Sequence, residues 1–156
     1  ESPKRMGNAH PSIVPYQVFP VADGHIVIAC GNNRQFHNLA LALERHDWID
    51  NPIFADNMTR ISNRAEVVSQ ITQQLSTWNK LEVLSSLEAA GVPSGPINTV
   101  AEALEDPQTL HRAMRIAPEG IPGVRTPIKF SNSSLQLKRA APGLGEHNNS
   151  DDLEPH

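Results

Sequence analysis

A chain of 156 residues, 38% hydrophobic and 19% charged, is long enough for one domain with a real core. Its 13 basic and 17 acidic residues are scattered and sum to −4, so there is no basic stripe to suit a nucleic acid. No apolar run approaches the roughly 20 residues of a membrane span, and a single cysteine forms no internal disulfide, which points to a reducing, cytoplasmic setting.

The 13 prolines argue against long uninterrupted helices and for several rigid connections. Aromatic residues are only 4%, so aliphatic side chains must fill most of the core. Residues 1–6 read as a polar and charged stretch and not as a signal peptide, and residues 1–7 look like a loop cut from something larger. Residues 12–19 carry Ile13, Val14, Tyr16, Val18 and Phe19, a β-prone run punctuated by Pro15. Ala22-Asp23-Gly24 is a turn signal, and His25 to Cys30 is a short apolar run expected to be a strand buried on both faces. Together they predict a hairpin of 16–20 with 25–30.

Asn32-Asn33 opens a helix whose core face is Phe36, Leu39, Ala40 and Leu43. Residues 46–60 read as irregular, broken at Asn51-Pro52. Asn63 with Glu66, and Asn79 with Glu82, are start signals of the capping-box kind. The first helix would bury Val67, Val68, Ile71, Leu75 and Trp78; the second would face inward through Leu81, Leu84 and Leu87 and stop at Gly91 in a left-handed cap. Thr99 with Glu102 starts a short helix over Val100, Ala103 and Leu104, and Asp106-Pro107 starts another that runs to about Met114. Beyond 115, Pro118, Gly120, Pro122, Gly123 and Pro127 interrupt regular structure, leaving short strands expected at 128–131 and 135–137. Pro142 to Gly145 is a loop, and 146–156 is a polar stretch expected to fray.

No cluster composes an active site by itself. The seven histidines lack metal-ligand spacing, and one cysteine does not complete a zinc site, so no metal is expected. Cys30 at a strand end reads as a buried inert thiol, and His25 as structural. No serine sits in a nucleophile elbow, and the pair Asp151-Asp152 lies in the tail. Gly31 to Phe36 joins strand to helix and reads as a plain Asn cap or as an anion-binding helix start. Gly7-Asn8-Ala9-His10-Pro11 reads alone as a solvated connecting loop, or as one that lets a ligand approach the main chain.

Four phrases occur in order: Gly7-Asn8-Ala9-His10-Pro11 running on to Tyr16-Gln17; Asp23-Gly24 with the strand to Cys30 and on to Phe36; Ala90-Gly91-Val92-Pro93-Ser94-Gly95-Pro96; and Ala141-Pro142-Gly143-Leu144-Gly145-Glu146-His147-Asn148. Over residues 5–148 the chain resembles the family III CoA-transferases of CaiB/BaiF type, and within them the succinyl-CoA:glutarate and dicarboxylate members. In that family these phrases fall in the back half of a longer chain.

The resemblance implies an α+β fold. Residues 1–11 would be a linker and active-site loop, and 12–100 the small domain, a short β-hairpin or sheet with about four helices. Residues 101–148 would be a Pro/Gly-rich strap with short strands returning to a large Rossmann-like domain, and 149–156 a frayed tail. It implies an interlocked homodimer, with CoA thioesters and small carboxylic acids as substrates and no covalently bound cofactor. The family's aspartate attacks the acyl-CoA thioester to give a mixed anhydride and free CoA thiolate; the thiolate displaces the carboxylate to give an aspartyl-CoA thioester, from which the acceptor acid collects CoA. A loop shields these hydrolysable intermediates, a role that falls here on Gly7, Asn8, Ala9, His10 and Pro11 as substrate-binding residues. The aspartate lies upstream of residue 1 in the family pattern, so no catalytic residue is expected in this chain, which alone would be inactive. An acyl-CoA racemase of the same fold, or a stand-alone non-catalytic binding module, are the alternatives. Ile121, Val124, Ile128, Phe130, Leu135 and Leu137 of the strap would need burial by self-association or by folding back on the small domain.

Overall fold

The computed structural model describes residues 7–146 and residue 148. They form two compact units, one ending at Ile97 and the other beginning at Asn98. The fold is α+β.

In the first unit, β1 (Tyr16–Val21) and β2 (Gly24–Ala29) form the expected hairpin, in a register that pairs Val21 with Gly24 around a two-residue turn. A third strand, β3 (Ser94–Ile97), pairs antiparallel with β2 and gives the order β1-β2-β3. The sequence reads this last segment as a stiff extended link. It joins the sheet because an edge position tolerates Pro96, whose missing N–H is not needed on the open side. The sheet is covered on one face only. Phe19 and Val21 of β1 and Ile26 and Ile28 of β2 are buried, whereas His25 is exposed and Val27 and Ala29 are half-buried. The expectation of a strand buried on both faces is therefore corrected: the alternating positions happen to be apolar without being covered.

Four α-helices pack on this face. Helix α1 (Asn33–Ala42) starts where Asn32 accepts a bond from the Gln35 N–H and buries Phe36, Leu39 and Ala40, as expected. Two single-turn 3-10 segments follow, His46–Trp48 and Pro52–Phe54. Then comes α2 (Asn57–Ser62), capped by the Asp56 carboxylate on the Thr59 N–H. The reading of 46–60 as irregular is thus corrected from Asn57 onward.

Helix α3 (Arg64–Leu75) buries Val67, Ile71 and Leu75, with Val68 and Trp78 half-buried. The capping box at Asn63 does not form. Asn63 closes α2 at φ −110°, ψ 25°, and its amide donates back to the Thr59 carbonyl at 2.8 Å. Helix α4 (Lys80–Ala89) buries Val83 and Leu87, while Leu81 is 81% exposed, contrary to the expected Leu81-Leu84-Leu87 face. Asn79 supplies no side-chain cap; Asp23 of the hairpin turn accepts from the Lys80 N–H at 2.7 Å instead. Gly91, at φ +67°, ends the helix in the left-handed conformation that glycine adopts without penalty.

Helix α3 lies against β1, and α4 against β2 and β3. The core joins the sheet residues to Leu39, Leu43, Val67, Ile71, Leu75 and Leu87. Phe36, Trp48 and Phe54 stack at ring separations of 5.2 to 6.4 Å at one end of it. Each fully buried side chain of this size contributes about 1.5–3 kcal/mol.

In the second unit, Thr99 and Glu102 make the expected capping box at the start of α5 (Val100–Glu105). Asp106 caps α6 (Pro107–His111), which stops short of the expected Met114; Ala113 follows at φ +50°. The strands expected at 128–131 and 135–137 are not there. Instead β4 (Arg115–Ile116) pairs with β5 (Gly123–Val124) across the proline-glycine turn. No described residue of this unit is buried: Ile121, Val124, Ile128 and Phe130 are each more than half exposed, and Leu135 is half-buried. The expected fraying of 149–156 falls outside the described residues, as does the reading of residues 1–6.

Candidate functional site

The segment Gly7 to Pro11 is folded back on β1. Gly7 sits at φ +65°, with open space where a Cβ would stand, so backbone conformation rather than crowding favours glycine there. The Asn8 Oδ1 accepts from the Val18 N–H at 2.9 Å. The His10 N–H donates to the Tyr16 carbonyl at 2.9 Å, and the His10 ring stacks on Tyr16 at 5.2 Å. Nδ1 of His10 accepts from the Ser12 N–H at 3.1 Å, so a neutral His10 carries its proton on Nε2. Ala9 and Pro11 contribute backbone and bulk, and Pro11 offers its carbonyl to Arg64. All five residues predicted from the sequence therefore lie on one continuous turn, with Asn8 and His10 turned to the strand.

Three polar side chains that sequence reading missed hold the next stretch. Asn57 grips the main chain at two points, accepting from the Val14 N–H at 3.1 Å and donating to the Ser12 carbonyl at 2.8 Å. Arg60 donates through Nε to the Val14 carbonyl at 2.7 Å, and Arg64 through Nη2 to the Pro11 carbonyl at 2.8 Å. Asn57 and Arg60 stand at i and i+3 on α2, a spacing that could have found that pair, whereas Arg64 opens α3 beyond the break at Asn63. The reading of 46–60 as irregular concealed the pair.

Arg60 is fully buried and bonds also to the Phe54 carbonyl and to Asn33 Oδ1, with its guanidinium 4.4 Å over the Phe36 ring. Burial draws its pKa below the usual arginine value, but a guanidinium stays charged. Nη1 of Arg64 is buried with no hydrogen-bond partner among the described residues.

Gly31 to Phe36 is a plain cap. Asn32 takes the Gln35 N–H and the Gln35 side chain takes the Gly31 N–H at 2.7 Å, so the helix start satisfies itself. Cys30 is buried as expected. Burial pushes its thiol up to about 12, against a smaller opposing pull from Arg60. Gly91 to Pro96 borders a groove of about 520 Å³ together with Leu84 and Glu88 of α4.

Four of the five described aspartates have structural duties, Asp50 being the exception. Asp23 caps α4, Asp56 caps α2 and Asp106 caps α6, while Asp47 pairs with Arg45 at 2.6 Å. Asp151 and Asp152 lie outside the described residues. Among the described residues no group of three or more His, Cys, Asp or Glu is placed to hold a metal, and no helix is long and apolar enough to cross a membrane.

Comparison with known proteins gives these features a family. The sequence model described as CoA-transferase family III matches residues 1–148. A succinate–glutarate CoA-transferase of Agrobacterium fabrum is 43% identical over 150 residues, covering 93% of this chain and 38% of its own length. The human succinyl-CoA:glutarate CoA-transferase is 34% identical over 151 residues, covering 92% of this chain and 34% of its own. The crystal structure of a CaiB/BaiF family protein from Brucella suis superimposes with a TM-score of 0.89 at 46% identity, covering 94% of this chain and 39% of that one. The chain thus spans little more than a third of the relatives it matches. With the hairpin, the Gly91 helix stop and the return into β3 all in place, the chain belongs to CoA-transferase family III.

Proposed function

We propose that this chain serves as the C-terminal part of a CoA-transferase that moves CoA between an acyl-CoA thioester and a small carboxylic acid, most suitably a dicarboxylic one. The observation that carries the substrate class is the 43% identity, over nearly the whole chain, to a protein named for succinate and glutarate. The exchange would run through aspartyl-CoA on a carboxylate outside this chain. In support, four of the five described aspartates, Asp23, Asp47, Asp56 and Asp106, are each tied to a cap or an ion pair, and the fifth, Asp50, lies exposed at the surface. A carboxylate so engaged is poorly placed to attack a thioester.

Gly7 to Pro11 would close over the acyl intermediates, with residues 12–100 as the small domain and 101–148 as the returning strap. The bonds from Asn8 and His10 to β1 and from Arg64 to Pro11 would fix the segment from behind and leave its outer surface for substrate. The exposed Ile121, Val124, Ile128 and Phe130 would be covered in a cytoplasmic homodimer of the complete protein.

The test is CoA exchange by the complete protein, with succinyl-CoA as donor and glutarate, succinate and acetate as acceptors, beside the 156-residue chain alone. Exchange with the dicarboxylates by the complete protein, and none by the chain alone, is expected. Turnover by the chain alone would overturn the placement of the carboxylate. Epimerisation of a 2-methylacyl-CoA without exchange would replace the transferase by a racemase.

A further inference from the structure

We infer that the second unit carries an oxyanion site, suited to a phosphoryl group, in the cavity lined by Arg112, Arg125 and Lys129. The cavity follows α6 and has a volume of about 80 Å³; Met114, Thr126, Pro127 and Ile128 complete its wall. That volume is room enough to admit a phosphoryl group.

Charge is the second observation. From Pro107 to Lys129 the chain has four Lys and Arg residues and one acid, Glu119, although the whole chain is net negative. Arg115 is neutralised by Glu105, and Glu119 accepts from the Ala140 N–H. Arg112, Arg125 and Lys129 have no side-chain hydrogen bond or ion pair to any described residue. Three like charges around one small concavity repel each other, and a bound anion removes that repulsion.

The wall chemistry fits a phosphoryl group better than a lone carboxylate. Two guanidinium forks and an ammonium supply more donors than two carboxylate oxygens use, and arginine matches phosphate bidentately. Thr126 Oγ1 accepts from the Ile128 N–H at 3.3 Å, which leaves its own proton free to donate. Met114, Pro127 and Ile128 supply the apolar part of the wall, which stays open to solvent at Pro127 and Ile128. Arg60 makes the contrast: its donors are spent on carbonyl and amide oxygens.

This site is independent of the transferase reading and is tested without turnover. The 156-residue chain is titrated with inorganic phosphate at constant ionic strength while the arginine Nε–H signals are followed by NMR. Saturable shifts at Arg112 and Arg125, and none at Arg139, which lies outside the cavity, are expected. At these partly exposed positions Arg125→Gln should weaken phosphate about fivefold. Arg125→Lys should keep most of the affinity, and replacing all three cations by Gln should abolish it. Parallel titrations with CoA and dephospho-CoA separate the sources: tighter binding of CoA than of dephospho-CoA marks a 3′-phosphate ester, and equal binding of CoA and inorganic phosphate marks free phosphate. Shifts that do not saturate, shifts shared by Arg139, or an affinity unchanged in Arg125→Gln would each overturn the site.

Discussion

Arg64 holds the carbonyl of Pro11 at 2.8 Å through one amino group while its other amino group is buried without a partner. The bond gained and the donor left unsatisfied are of similar size, about 1 kcal/mol against 1–3. Arg64→Gln should therefore change global stability by about 1 kcal/mol or less, while loosening the segment that Arg64 holds. Hydrogen exchange reads this directly: the amides of His10, Ser12 and Val14 should exchange faster and those of Ile26 and Ile28 should not. Unchanged protection at residues 10–14 would mean that Asn8, His10 and Asn57 hold the segment without Arg64.

Arg60 behaves differently because all its bonds are made inside the core. Arg60→Ala strands the carbonyls of Val14 and Phe54 and empties the space over Phe36. A loss of about 3 kcal/mol or more is expected, read as a lower urea midpoint. Arg60→Lys restores the charge but not the fork that reaches three acceptors, so it should recover less than half of the loss. A loss below about 1 kcal/mol would mean that the buried guanidinium costs as much as it returns.

How much of this was legible in the sequence depended on whether a signal was local. The hairpin, the Asn32 cap, the Gly91 stop and the Thr99-Glu102 box each need only residues a few positions apart, and each is formed. Asn63 and Asn79 carry the same local signal and fail for tertiary reasons. Asn63 is already the end of α2, and the α4 start is capped by Asp23, 57 residues away. The five candidate residues from Gly7 to Pro11 came from the family phrase, whereas Arg64 holds Pro11 from 53 residues away, and Asn57 and Arg60 hold the adjoining Val14 from 43 and 46 residues away. Strand β3 was hidden because Gly95 and Pro96 are poor strand formers, and only pairing with Ile26 and Val27 makes them one.

The Asp23–Lys80 bond predicts a long-range capping effect. Asp23→Ala removes the acceptor from the first turn of α4 and should cost about 1 kcal/mol, the usual worth of a helix cap. Asp23→Asn keeps an acceptor and should cost less. Because the Ala22 N–H also bonds to the Trp78 carbonyl at 2.9 Å, the hairpin tip has a second hold on the same connection. Exchange at the Lys80 amide should therefore rise without separation of the tip from residue 78. Equal stability of Asp23→Ala and the parent in urea would assign the cap to solvent.

Cys30 sets an alkaline limit on stability. Its thiol is raised from an ordinary value near 9.0 to about 12 in the folded chain, chiefly by burial. Below pH 9 the thiol is protonated in folded and unfolded chains alike and its contribution is constant. Between pH 9 and 12 only the unfolded chain ionises, so it binds fewer protons and stability falls as pH rises, at most about 1.4 kcal/mol per pH unit. Cys30→Ala removes this term at the expense of a small cavity, so it should be less stable than the parent at pH 7 but lose stability less steeply from pH 9 upward. The same burial predicts slow alkylation by iodoacetamide at pH 8 in the folded chain and fast alkylation in urea. Parallel stability profiles for Cys30→Ala and the parent above pH 9, or rapid alkylation of the folded chain, would show that residue 30 is open to solvent and that the strand end carrying it is not packed as described.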